Sequence, residues 1–150
     1  MKIKQLSLFL ENKPGSLSLP CRALAQAGLN ILTLSLADTE QYGILRLVVP
    51  EWERAKKVLE TAGCVVKVSE VEAIEVPDRP GGLAEVLEAA EKAGINVEYM
   101  YAFTVKRAGK SVLVFRFDEP DAAIEKLQAQ GVNFVGNVGL YNHLEESGIE

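Results

Sequence analysis

From Lys4 to Leu10 the chain alternates, with Leu6, Leu8 and Leu10 on one side, a pattern that predicts a half-buried strand. The turn "ENKPGS" follows, then a helical pattern ending at Gly28, where glycine suits a left-handed cap. "NILTLSLA" sets Leu32, Leu34 and Leu36 against Asn30, Thr33 and Ser35 and predicts a second strand. After "DTEQY", the segment "GILRLVV" predicts a third, with Leu45, Leu47 and Val49 inward. Pro50 opens a second helix, "PEWERAKKVLETAG", at a first-turn position that proline tolerates, and "CVVKV" supplies a fourth strand. The order is strand, helix, strand, strand, helix, strand.

The pattern then starts again. "LENKPGSLSLPCRALAQAGLNI" at residues 10–31 returns 66 positions later as "VPDRPGGLAEVLEAAEKAGINV" at residues 76–97. Ile74 and Val76 match Leu8 and Leu10, while Leu113, Phe115 and Phe117 match Leu45, Leu47 and Val49 after a longer loop, "TVKRAGKS". "EPDAAIEKLQAQG" matches the Pro50 helix and again ends in glycine, at Gly131. A period of 66–68 residues is too long for a solenoid and suits a duplicated domain. The boundaries read as 1–69 and 70–150, the second with a short C-terminal tail, joined by the linker "SEVEA". The predicted class is α+β: two ferredoxin-like βαββαβ units, each a four-stranded antiparallel sheet with both helices on one face.

Alternation also identifies the opposite sheet faces: Gln5, Ser7, Phe9, Thr33, Ser35, Ile44, Arg46 and Val48 in the first copy. In the second they carry Tyr99, Tyr101, Phe103, Val112, Val114 and Arg116. These faces are too apolar for water and predict burial or an interface.

Charge narrows the partners. A net charge of −5, with no basic run longer than Lys106-Arg107, argues against nucleic acid and against an anionic membrane surface. The charged start "MKIKQLSLFLENK" does not read as a signal peptide, and no apolar stretch is long enough to span a bilayer, so the expectation is a cytoplasmic protein. Cys21 and Cys64 lack CxxC spacing and read as free thiols, both small buried apolar side chains. His143 has no second His or Cys at ligand spacing, no nucleophile motif appears, and neither G-x-G-x-x-G nor a P-loop is present. The expectation is therefore no enzyme, no cofactor and no metal.

The chemistry lies in "PDRPGGL". A strand ends, proline and glycine turn the chain, and a helix begins at once. Its first N–H groups have no internal acceptors, and the glycines leave them open to an anion such as a carboxylate. Asn12 and Asp78 precede the turns, where either could cap the turn or meet an ammonium group; an amino acid carries both charges. Asn30 and Asn96, in "AGLNI" and "AGINV", open the neighbouring strand; each offers a donor and an acceptor, or caps the preceding glycine turn. Arg46 and Arg116 read either as interface ion pairs or as carboxylate receptors.

The pairing of D-x-P-G-x-L with A-G-I-N resembles the ACT domain, a small-molecule-binding module of amino-acid metabolism with βαββαβ topology. "YGILRLVV" and "NVEYMYAF" look like small stand-alone proteins of tandem ACT domains. The resemblance implies an allosteric regulatory protein of the non-enzymatic sensor or regulatory subunit type, with an amino acid held between the first loop of one domain and strand two of its neighbour. Carried over, it nominates Asn12, Pro14, Gly15, Ser16, Leu17, Asn30 and Ile31 in the first copy. In the second it nominates Asp78, Pro80, Gly81, Gly82, Leu83, Asn96 and Val97. It also implies a homodimer and a partner enzyme. Pro20 departs from the pattern: the first helix should start late, near Ser18, with a reshaped loop, so either the first site is modified or only the second keeps the family geometry. The alternative function is a ferredoxin-like assembly module that recruits a partner enzyme without binding a small molecule.

Overall fold

The structure, a computed structural model, describes residues 2–107, 109–136 and 140–141. Among the described residues the elements in chain order begin with β1 (Lys2–Glu11), α1 (Ser18–Gln26), β2 (Thr33–Asp38), β3 (Tyr42–Val48), α2 (Trp52–Thr61) and β4 (Val66–Pro77). Then come α3 (Gly82–Lys92), β5 (Val97–Arg107), β6 (Lys110–Phe117), α4 (Pro120–Ala129) and the two-residue β7 (Phe134–Val135). The chain divides into a first unit, Lys4–Ser69, and a second unit formed by Lys2 and Ile3 with the chain from Glu70 onward. Each has the βαββαβ order.

In the first unit β3 lies between β1 and β2, antiparallel to both, with Leu6 opposite Leu47 and Leu34 opposite Leu47 from the other side. Residues opposite each other share a face. The shared face here carries Leu6, Leu8, Leu45 and Leu47, which pack on Leu24 of α1 and on Ala55 and Leu59 of α2. All seven are nearly or wholly excluded from water. Leu34 and Leu36 sit on the same face of edge strand β2 but remain about half exposed, at 49% and 48%, beyond the cover of that core.

In the second unit β6 lies between β4 and β5, and β7 pairs with β4, with Ile74 opposite Leu113 and Phe134. Ile74, Val76, Phe115 and Phe117 face Val86 and Ala90 of α3 and Ala123 and Leu127 of α4. Phe115 and Phe117 stack with centroids 5.5 Å apart. The opposite faces are also withdrawn from water in large part: Gln5, Ser7, Thr33 and Val48 are buried, as are Phe103, Val112 and Val114. Phe9, at 50% exposure, is the exception.

Three sequence expectations change. Cys21, on α1, is exposed and Cys64 only partly buried, so neither is the fully buried apolar side chain expected. "CVVKV", the linker "SEVEA" and the following strand are one continuous strand, β4. No glycine or proline interrupts the alternation between Cys64 and Val76, so nothing ends the extended chain there. Likewise most of the loop "TVKRAGKS" is strand: β5 runs to Arg107 and β6 begins at Lys110, with a register shift between Ala102 and Lys106.

Candidate ligand site

The second copy's loop is built around two glycines with different jobs. Gly81 has φ +85°, the left-handed region that glycine enters without penalty. Gly82 begins α3, and a Cβ there would overlap the carbonyl of Pro77, so the helix starts flush against the end of β4. Gly82 N–H donates to the Arg79 carbonyl at 3.0 Å, and Glu85 N–H to the Gly81 carbonyl at 3.0 Å. No side chain among the described residues caps the helix. The N–H groups of Leu83 and Ala84, in its first turn, therefore lack helical acceptors and lie at the positive end of the dipole. Arg79 lies along this turn, its Nη1 donating to the Pro80 carbonyl at 3.4 Å and its Nη2 to Glu85 at 2.7 Å. Asp78, Pro80 and Gly81 are exposed around this opening.

The first copy differs as Pro20 requires. Gly15 has φ +88° and repeats the turn, but Ser16 stands where Gly82 stands in the second copy. A side chain at that position would collide with the preceding strand in the Gly82 arrangement. Here α1 opens two residues later, at Ser18, with Leu17 as its N-cap and Pro20 in its first turn, where no N–H is needed. Ser18 Oγ donates to the Gly15 carbonyl at 3.2 Å. The loop is tied to the β2–β3 hairpin by Asn12: its N–H donates to the Gln41 carbonyl at 2.9 Å, and its side chain to the Glu40 carbonyl at 3.4 Å. Pro14, Gly15 and Leu17 are exposed and Ser16 half-buried.

The asparagines follow matching helix ends. Leu29 N–H reaches the Leu24 carbonyl and Ile95 N–H the Ala90 carbonyl, each at 2.9 Å, around Gly28 and Gly94 at φ +69° and +68°. This backbone closure buries Leu29 and Ile95. A cation from the unit's other helix seals each end: Arg54 donates to the Ala27 carbonyl at 2.6 Å, Lys126 to the Ala93 carbonyl at 3.3 Å. Asn30 and Asn96 come next, exposed, and neither side chain makes a hydrogen bond among the described residues. The turn is closed by backbone, so a capping role for these amides is not realised. Ile31 and Val97, half-buried, lead into β2 and β5.

Register shows what each unit brings together. Leu10 pairs with Gly43 and Thr33 with Val48, so the Asn12 loop and Asn30 lie at opposite ends of β3. In the second unit Asp78 N–H bonds to the Gly109 carbonyl at one end of β6, while Asn96 exchanges bonds with Asp118 beyond the other. Neither unit places its own asparagine beside its own loop.

Arg116 is engaged structurally: its Nη1 donates to the Glu70 carbonyl at 3.2 Å, and its Nε lies 3.5 Å from Glu98. His143 lies outside the described residues. Among the described residues no group of His, Cys, Asp and Glu side chains could hold a metal ion, and no helix is long and apolar enough to cross a membrane. One residue escaped sequence reasoning altogether. Glu72 is fully buried, and alignment of the copies carries the signal, because it stands 66 positions after core residue Leu6.

Protein BT0572 from Bacteroides thetaiotaomicron is 35% identical over 94% of this chain and 96% of its own, with a TM-score of 0.87. The regulatory subunit of aspartate kinase from Thermus thermophilus, in its ligand-free form, is 16% identical at a TM-score of 0.61, with 84% of this chain and 91% of that one covered. Its counterpart from Thermus flavus is 16% identical at 0.59, with coverages of 84% and 90%. At that identity the likeness is one of fold. No curated protein matches the chain. The model of the ACT domain pair matches residues 1–144, and the chain belongs to that family.

Proposed function

We propose that this protein is a non-enzymatic regulatory protein that binds a free amino acid at ACT-domain interfaces, with one ACT domain in residues 1–69 and the other in 70–150. The observation that carries this reading is the uncapped first turn of α3 behind Gly81, open to a carboxylate. Asn30 and Asn96 add exposed amides with no bond partner among the described residues, free to receive the ligand's remaining polar groups. Because each loop and its own asparagine lie at opposite ends of a sheet, a site using both draws them from two ACT domains. The fold shared with regulatory subunits of aspartate kinase supports a regulatory role, acting on a partner enzyme from a cytoplasmic homodimer. The second loop keeps the geometry suited to a carboxylate; the first, rebuilt around Ser16 and Pro20, binds more weakly.

Isothermal titration of the protein and of Gly81→Val with free amino acids tests this. The reading requires saturable binding of one chemical class and at least a tenfold loss in the variant. Equal affinity in both would remove the loop from the site.

A second reading is favoured by the distribution of exposed apolar side chains. Among the described residues Phe9, Leu17, Leu19, Leu34, Leu36, Tyr42 and Val65 belong to the first unit, against Met100 in the second. They fit an assembly module that recruits a partner enzyme without a small molecule. Association that persists without any amino-acid response, and that Leu34→Lys abolishes, would favour it.

A further inference from the structure

Glu72 lies in β4 two residues before Ile74, with Phe115 of β6 as its partner across the sheet. The corresponding pair in the first unit is Leu6 and Leu47, both fully buried. Glu72 is buried to the same degree, at 0% exposure, and neither of its carboxylate oxygens has a hydrogen-bond partner among the described residues. An ionised carboxylate so placed has lost its water and gained no hydrogen bond among the described residues in exchange, which favours the protonated form.

Charged groups face it from several elements. Lys2 of β1 directs its ammonium to Asp121 of α4 at 2.7 Å and to Glu70 of β4 at 3.5 Å. Arg116 of β6 is committed to the Glu70 carbonyl and to Glu98 of β5. Both nearby cations thus already serve other oxygens. Burial pushes the Glu72 carboxyl up to about 7; Arg116 and Lys2 pull it down, while Glu70 and Asp121 add to the rise.

We propose that Glu72 is a proton-linked switch in the second unit. Neutral, it packs as Leu6 does in the first unit; ionised, it competes with Asp121 and Glu70 for Lys2, the residue that ties the start of β1 to that unit. The proton released on ionisation passes to water. Since the folded state holds this proton more tightly than the unfolded chain, the stability it contributes is fully present below pH 4.5, the ordinary glutamate value. It is lost as pH rises through about 7.

Carbon-13 NMR of the glutamate carboxyls and ammonium nitrogen-15 spectra of the lysines, recorded from pH 4 to 9, test the proposal on the intact protein. One glutamate signal, absent in Glu72→Gln, should titrate near neutrality, and the Lys2 signal should shift at the same midpoint. In parallel, the Tm of the unsubstituted protein should fall by roughly several degrees between pH 5 and 8, with most of that fall absent in Glu72→Leu. A Glu72 carboxyl titrating with the exposed glutamates would overturn the proposal. So would an equal fall in Glu72→Leu, or a Lys2 signal indifferent to the Glu72 midpoint.

Discussion

Gly82 packs directly against the carbonyl of Pro77, with no room for a Cβ between them. The contact lets α3 open immediately after β4 and aims its first N–H groups at the exposed Asp78–Gly81 turn. Gly82→Ala should therefore cost about 1–3 kcal/mol, as overpacking against fixed backbone does, and chemical denaturation will measure it. Ser16→Ala, at the equivalent place in the first copy, should stay within about 0.5 kcal/mol, since the loop there is already built for a side chain.

Asn30→Ala and Asn96→Ala should separate binding from folding. Both side chains are exposed and bond to nothing among the described residues, so the Tm should hold. If each amide meets a charged group of the ligand, about 1.5–3 kcal/mol is lost on truncation, roughly a tenfold to hundredfold fall in affinity by calorimetry. A drop in Tm without a change in affinity would make them structural.

The internal duplication supplies a converse to the Glu72 switch. Leu6→Glu installs a carboxylate in the first unit's core, among Leu8, Leu45 and Leu47. Its folded-state pKa should rise, so the penalty should be smaller at pH 5 than at pH 8. Denaturation at the two pH values reads the difference directly. Equal penalties would mean that water reaches the position.

Leu47→Ala should cost about 2–5 kcal/mol, because Leu47 is fully buried between strands and helices of the first unit. Leu34→Ala, across the strand pair on the same face, should cost much less, since Leu34 is already half exposed. Urea unfolding of the two variants will give the ratio.

The duplication and the alternation around it made the architecture readable from sequence. Leu6, Leu8, Leu45 and Leu47 announce their shared face by period alone, and Gly28 and Gly94 mark both helix ends. Pro20 likewise foretold the late start of α1. The linker was misread because alternation is silent about where one strand should stop and another begin; only a breaker would have marked it, and none occurs between Cys64 and Val76. Leu34 and Leu36 have the spacing of core residues but lie on an edge strand, and pattern alone does not say which strand is at the edge. At the site, the turn glycines and asparagines stood out by repetition. What the sequence could not convey was distance: that each loop and its own asparagine are separated by the length of β3 or β6. Glu72 hid behind its type, because a glutamate in a strand is ordinarily assigned to the wet face.

The account turns on recognition of an amino acid. Thermal unfolding of the full chain against each of the twenty amino acids at millimolar concentration tests it most directly. A ligand present at about a hundredfold its dissociation constant adds about 2.7 kcal/mol, which raises the Tm by roughly several degrees. The account predicts such a rise for one chemical class of amino acid, diminished in Gly81→Val. A Tm unmoved by all twenty would contradict it.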